Sequence, residues 1–430
     1  MREDIEMGSQ ISMFDGETQF KITKPLRLIE LFGGYGSQSL ALKYLGVSFE
    51  HWRLCEWAIP SIQAYKDLHF EQDATDYSVG MNKIELVKTL HKLGISSDYN
   101  QPLTQEKLNR YSESKLRTIY NNIRACHNLV SICNVRGEDL GIQETDKYCY
   151  LMTYSFPCQD ISAIGLGKGM ERGRGTRSGL LWEVERLLTE TKELPQVLLM
   201  ENVKQVVGQK NIKAFAEWVA FLDKLGYHSK WQVLNATDFS IPQNRERCFM
   251  VSVLGNYSYN FPMICRKKQL YDFVDRLPEN EINIGHASKT IINSIKKAAS
   301  YIEAKTIRCG GRGSIDRHSR DIYSIDYRRT PTYYRPPMKN ISTTLLANKT
   351  GLGYSTQEKY FFYSTQECFR LMGVKNEDYK KVKKAQSKSS LFHLAGDSIV
   401  TTCLMAIFGE MLDVDYKTKI EELTKNLTGE

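Results

Sequence analysis

None of the ten cysteines forms a C-x-x-C pair, and metal-ligand spacing is absent. That absence excludes the common zinc modules, and no metal is expected. The thiols at 55, 126, 133, 149, 158, 248, 265, 309, 368 and 403 read as reduced, mostly core residues of an intracellular protein. No run of about 18 or more apolar residues occurs, which argues against a bilayer span. The N-terminus, MREDIEMGSQISMFDGETQF, lacks an apolar h-region and so does not read as a secretory signal. Histidine is scarce, with eight in 430 residues and none in a recognisable catalytic motif, so a cysteine hydrolase lacks a persuasive partner base. There is no internal repeat and no low-complexity segment.

What is present suits a globular chain with more than one domain: 41% hydrophobic and 25% charged residues over 430 positions. A net charge of +8 and a pI near 8.8 are compatible with a polyanionic partner. Residues 1–21 read as a flexible lead-in. Leu26–Leu31 reads as a buried strand, followed by glycines at 33, 34 and 36 and an apolar-periodic helix ending at Gly46. A second strand is expected at 49–55. Residues 72–132 read as a helical insertion, with Ile84, Val87 and Leu90 on one face and Leu116, Ile119, Tyr120 and Ile123 on another.

The α/β rhythm resumes with strands at 148–154, 197–200, 231–234 and 248–254 and helices at 180–191 and 211–225. These elements place residues 22–255 in one domain: an α/β, Rossmann-like, doubly wound sheet. Residues 256–385 read as a smaller irregular domain. Its arginines at 308, 312, 317, 320, 328, 329 and 335 are interleaved with tyrosines at 323, 327, 333 and 334. Such a surface can track phosphates and reach bases. Residues 386–430 read as a segment returning to the sheet, with a turn at Gly396 and an apolar helix after it.

Three groups of residues carry chemistry. Phe32-Gly33-Gly34-Tyr35-Gly36 follows a strand and opens a helix, so its backbone can approach a ligand closely. Glu56, at the end of the second strand, can accept bonds from ribose hydroxyls, and Trp57 can pack on an adenine. Pro157-Cys158-Gln159 and Glu201 both follow strands at the ligand-binding edge, pairing a thiol with a carboxyl group for nucleophilic addition with acid assistance. In Gln243-x-Arg245-x-Arg247 the two arginines alternate, which on extended backbone turns both to one side.

Taken in order, Phe32–Gly36, Pro157–Gln159, Glu201–Val203, Gln243–Arg247 and Gly396–Val400 resemble the motif series of the DNA (cytosine-5)-methyltransferase family, compact bacterial or phage type. Ser178-Gly179-Leu180, Thr343-Thr344-Leu345 and the stretch Gln366–Gly373 add to the likeness, which covers residues 26–415. The resemblance implies transfer of a methyl group from S-adenosyl-L-methionine to C5 of cytosine in a specific double-stranded DNA sequence, leaving S-adenosyl-L-homocysteine. It implies that Cys158 is the nucleophile toward C6, that Glu201 acts at N3, and that Arg247, with Arg245, orients the base.

By the same resemblance Phe32, Gly33, Gly36, Glu56, Trp57, Asp139, Pro157, Leu180, Asp397 and Ser398 form the cofactor site. Asp397 stands where the family usually has Asn. Base flipping is implied, with a glycine- and arginine-rich loop closing on the DNA. The expected DNA contacts are Gln159, Ser162, Lys168, Arg172, Arg174, Gln243, Arg312, Arg317, Arg320 and Thr344. A monomeric cytoplasmic enzyme, paired in function with a restriction endonuclease or acting alone, is the expectation. A tRNA-modifying member of the family and a silent DNA-binding protein on the same fold are the alternatives.

Overall fold

The computed structural model describes residues 18–157, 170, 177–308, 321–327, 336–347, 351–356 and 359–429. Besides the short strands Thr18–Gln19 and Tyr257–Ser258, which pair in parallel with each other, the strands in chain order are β1 (Leu26–Leu31), β2 (Phe49–Cys55), β3 (Cys149–Tyr154), β4 (Val197–Val203), β5 (Tyr227–Asn235), β6 (Glu246–Leu254), β7 (Tyr323–Asp326), β8 (Met338–Lys339), β9 (Leu352–Ser355) and β10 (Tyr360–Phe362). The helices are α1 (Ser37–Leu45), α2 (Ile59–His69), α3 (Lys83–Leu93), α4 (Gln105–Asn109), α5 (Glu113–Ala125), α6 (Leu181–Glu190), α7 (Ile212–Lys224), α8 (Lys289–Arg308), α9 (Thr365–Arg370), α10 (Asn376–Lys383), α11 (Lys388–Asp397), α12 (Thr401–Leu412) and α13 (Tyr416–Thr428).

The main sheet runs β2-β1-β3-β4-β6-β5, with β1 to β4 parallel and β6 antiparallel to both of its neighbours. Every residue of β1, β3 and β4 is buried, as expected of parallel strands covered on both faces. Because β6 runs backwards, its first residues lie beside the C-terminal end of β4, with Val203 opposite Arg247. One face of the sheet is covered by α1, α12 and α13, and the other by α6 and α7 around Trp218. The stretch Lys388–Leu412 is long and apolar enough to pass a membrane-span test by length and composition, although no such run was expected. It is almost wholly buried inside the protein and packs in the core beside α1.

The insertion is helical, as its periodicity predicts. Asn82 and Glu85 form a reciprocal capping box at the start of α3, and Gly94 ends that helix in a left-handed conformation. Leu86, Val87 and Leu90 bury against Leu116, Ile119 and Ile123, whereas Ile84 is exposed, one position off the expected face.

Gly396 is not in a turn but inside α11. A Cβ there would lie 2.3 Å from the backbone of Leu346 and Ala347, so the residue allows a close approach between segments. The second sheet runs β8-β7-β9-β10, all antiparallel. Tyr327, expected on a basic reading face, is buried there and donates its hydroxyl proton to the Tyr354 carbonyl at 3.1 Å. Helices α9 and α10 precede residue 386, yet Phe369, Leu371, Met372, Tyr379 and Val382 join the core around α1 and α12.

Candidate functional site

The glycine turn sits at the C-terminal end of β1. Gly36 has φ +83°, and a Cβ there would lie 2.4 Å from His69 and 2.7 Å from Tyr65, so packing alone requires glycine. Gly34, with φ +57°, is different: a Cβ there meets nothing within 4 Å and points into open space. The Gly34 N–H donates to Glu56 Oε2 at 2.9 Å, and the Ala58 N–H donates to Oε1 at 2.7 Å. Asn128 braces the same strand end, accepting from the Glu56 N–H and donating to the Glu56 carbonyl. Burial pushes the Glu56 carboxyl up to about 7 against these amide bonds, and Asp397 pushes in the same direction.

Each Glu56 oxygen keeps a lone pair after its amide bond, so the carboxylate can still receive hydroxyl groups. Half-buried Trp57 lies beside it, packed against the core of the insertion. The open side of Gly34, a buried acceptor and a flat indole together fit an adenosyl group. From the other side, Tyr35 donates to Ser398 Oγ at 3.0 Å and stacks on Phe369. Asp397 is exposed next to Ser398. Phe32 and Leu180 are half-buried against the core on the α6 side of the sheet.

Asp139 lies on the 3-10 turn Gly137–Leu140 rather than at a strand end. A single parallel bridge, Leu54 with Asn128, continues the sheet beyond β2. The Asp139 carboxylate accepts from the Arg136 N–H at 2.9 Å and pairs with the Arg136 guanidinium at 3.3 Å.

At the end of β4, Arg247 Nε lies 3.1 Å from Glu201 Oε1, with both side chains largely buried. The register explains the contact, since Glu201 lies two residues from Val203, the cross-strand partner of Arg247, and is therefore its diagonal neighbour. Ser155 Oγ donates to the other oxygen, Glu201 Oε2, so both oxygens of the carboxylate are held. Asn202 Nδ2 donates to the Phe156 carbonyl at 2.9 Å, tying β4 to the chain just before Pro157. Cys158, Gln159, Ser162, Lys168, Arg172, Arg174, Arg312, Arg317 and Arg320 lie outside the described residues.

Three expected contacts fall elsewhere. Arg245 does not share a side with Arg247, because it precedes β6 and is free of strand alternation. Its guanidinium is buried and donates to the carbonyls of Leu345, Gly396 and Ser398 at 2.9, 3.0 and 2.7 Å. Gln243, expected at DNA, is fully buried. It donates to the Leu371 carbonyl at 2.8 Å and accepts from the Leu345 N–H at 3.0 Å. The Thr344 hydroxyl is spent on the Asn244 carbonyl. These residues form a seam that joins the edge of the sheet to the segment 342–345.

Sequence reasoning missed Ser155, Asn128 and Tyr35. Ser155 could have been found by its place three residues before Cys158 at a strand end. Asn128 carries no local signal.

A model of the C-5 cytosine-specific DNA methylase family matches residues 107–413. The orphan methyltransferase M.SssI of Spiroplasma monobiae is 30% identical over 395 residues, spanning 90% of this chain and 98% of that protein. The type II methyltransferase M2.ScrFI of Lactococcus lactis subsp. cremoris is 28% identical over 389 residues, spanning 90% and 99%. In three dimensions the chain resembles the Dnmt2 methyltransferase of S. pombe in fold. That likeness has a TM-score of 0.51 at 15% identity and covers 90% of this chain and 98% of the other.

Proposed function

The chain belongs to the C-5 cytosine-specific DNA methylase family, and from that premise we propose how its own residues methylate C5 of cytosine in a specific DNA sequence. C5 is a weak nucleophile, so the ring must first be activated. The Cys158 thiolate adds to C6 of a cytosine flipped out of the duplex, and electron density moves toward C5. Glu201 meets N3 and stabilises the ring during that shift. Arg247 fixes the plane of Glu201 and lends positive charge to the site, while Ser155 holds the second carboxylate oxygen. S-adenosyl-L-methionine, when bound, supplies the electrophilic methyl group. Loss of the C5 proton then restores the ring double bond and expels Cys158.

Phe32, Gly34, Glu56, Trp57, Leu180, Asp397 and Ser398 hold the cofactor. Gly33 and Gly36 keep the turn in shape, Pro157 sets the chain before Cys158, and the Asp139 carboxylate, oriented by the Arg136 N–H, completes the cofactor set. The doubly held Glu201 carries this reading, because nothing in the sheet's packing needs an acid gripped on both oxygens at a strand end. Duplex DNA is the substrate, bound through residues 160–177 and the arginine-rich region 256–360. The enzyme works as a monomer in the cytoplasm of a bacterial or phage-infected cell, alone or beside a restriction endonuclease.

The test is mechanism-based trapping. Purified protein is incubated with S-adenosyl-L-methionine and a mixed-sequence DNA duplex carrying 5-fluorocytosine, whose fluorine cannot leave as the proton does. A denaturant-resistant adduct, lost in Cys158→Ala, is the expected result. An adduct formed only with 5-fluorocytosine tRNA would overturn the DNA assignment. Adduct formation by Cys158→Ala would overturn the nucleophile.

A further inference from the structure

The insertion between β2 and β3 comes directly to the cofactor side of the sheet. The Ser96 N–H donates to the Trp57 carbonyl and the Ile59 N–H to the Ser96 carbonyl, both at 2.8 Å, which fastens the insertion's turn to the residues following Glu56. The turn is closed on itself, with Ser96 Oγ donating to the Gln101 carbonyl and the Asn100 N–H donating to Asp98. At its tip Tyr99 takes φ +63°, a conformation that costs a non-glycine residue on the order of 1 kcal/mol. The ring it projects stacks on His393 of α11, with centroids 3.8 Å apart and planes 26° from parallel. Ser61 Oγ donates to the Tyr99 hydroxyl at 3.3 Å, fixing the ring from a third element.

These contacts close a circuit. Gly34 is bonded to Glu56, Trp57 to Ser96, and Tyr99 is stacked on His393. His393 lies 3.7 Å from Asp397, and the adjacent Ser398 accepts from Tyr35, which returns the circuit to the glycine turn. Of the residues assigned to the cofactor, Gly34, Glu56, Trp57, Asp397 and Ser398 stand on this circuit, and the Tyr99–His393 stack links the insertion to α11. Gln386, donating to the Pro60 carbonyl at 2.9 Å, holds the start of α11 near α2 independently of the stack. Loss of the stack therefore opens one link without freeing α11.

We propose that Tyr99 and His393 are cofactor-positioning residues, and that their stack closes a collar around S-adenosyl-L-methionine and slows its release. The insertion is then part of the cofactor site and not only a structural excursion. This inference rests on the cofactor reading given above. A stack of this kind, with partial burial, corresponds to an effect of about tenfold.

The experiment measures cofactor release from the full-length protein. Tritiated S-adenosyl-L-methionine is chased with excess unlabelled cofactor, and S-adenosyl-L-homocysteine affinity is measured by calorimetry. Tyr99→Ala and His393→Gln should each release the cofactor about tenfold faster. Tyr99→Phe, which keeps the ring, should stay within about twofold of the original protein. The thermal midpoint of the cofactor-free protein is followed in parallel. Should Tyr99→Ala prove unstable, His393→Gln carries the test from the other side of the stack. Unchanged release in both variants, or a Tyr99→Phe as fast as Tyr99→Ala, would overturn the collar. If the original protein binds neither cofactor nor product, the cofactor reading itself fails, and the collar with it.

Discussion

The proposed base side and the proposed cofactor side of the site each centre on a glutamate at the C-terminal end of a strand, but the two are held by different means. Glu201 is gripped by side chains, the Arg247 guanidinium and the Ser155 hydroxyl, which a point mutation can remove. Glu56 is gripped by the backbone amides of Gly34 and Ala58, which no side-chain change deletes. A charge-bearing partner can respond as a reacting ring gains and loses charge, whereas an amide cradle holds one geometry and accepts the cost of burial. The chemistry is therefore expected to be sensitive to its neighbours, and the cofactor lip to be sensitive to its own carboxylate.

The sharpest way to break this contrast is Glu201→Gln. It should lower the single-turnover methylation rate by about a thousandfold, roughly 4 kcal/mol of barrier, with cofactor affinity nearly unchanged. An equal loss of cofactor affinity would mean that the two halves are not separate.

Arg245 and Arg247 sharpen it further. Arg245→Ala strips two buried carbonyls and one part-buried carbonyl of a donor and should cost about 3 kcal/mol of stability by denaturant unfolding. Arg247→Ala should cost less stability and fall mainly on turnover. Equal unfolding midpoints for the two variants would contradict their separate roles.

Glu56→Gln addresses the cofactor half through pH. The Glu56 carboxyl titrates near 7 in the fold against an ordinary value of 4.5, chiefly through burial. The folded chain therefore takes up a proton more readily than the unfolded one. The stability from this group is fullest below pH 4.5, declines as pH rises, and is lost above about 7. Its span is on the order of 3 kcal/mol. Glu30, raised to about 7 by its own burial, adds a similar slope that the substitution leaves in place. Melting the cofactor-free protein between pH 5 and 8 should show a shallower decline for Glu56→Gln. Parallel curves would count against a displaced Glu56.

The smallest effect is expected at Gly34. Gly34→Ala meets open space, so only its left-handed backbone costs stability, about 1 kcal/mol, while calorimetry should show weakened cofactor binding. Gly36→Ala, which runs into His69 and Tyr65, should lose considerably more stability. The reverse order would overturn the assignment of the open side to a ligand.

Local pattern made much of this architecture legible. Val197–Met200 reads as a strand because its apolar run is unbroken, and Leu26–Leu31 because its short apolar stretch, broken by Arg27 and Glu30, leads into a glycine turn. Glu56 and Glu201 were visible as acids just past or within such runs. What escaped depends on distant segments. Two arginines at alternate positions promise a common side only if both belong to the strand, and β6 begins between them at Glu246. Gly396 gives the same local signal whether it makes a turn or admits a neighbouring backbone, and only the approach of Leu346 and Ala347 decides. Tyr327 looks like a base-stacking ring until the Tyr354 carbonyl and the second sheet enclose it. Tyr99 carried no signal at all, because its partner His393 lies on a helix from a remote part of the chain.

The pairing of α1 with α12 has a consequence for how the protein is made. Leu40, Leu42 and Leu45 of the opening βα unit are covered by a helix that emerges from the ribosome only after the second sheet has been synthesised. At translation rates of about 5–20 residues per second, that apolar face waits roughly 20–70 s for its cover. Until then, any pairing of β1 with β2 and β3 leaves one face of the sheet without its cover. Exposure to aggregation is therefore greatest during synthesis, and a chaperone that shields the α1 face over that interval would raise the yield of native enzyme without altering its final stability.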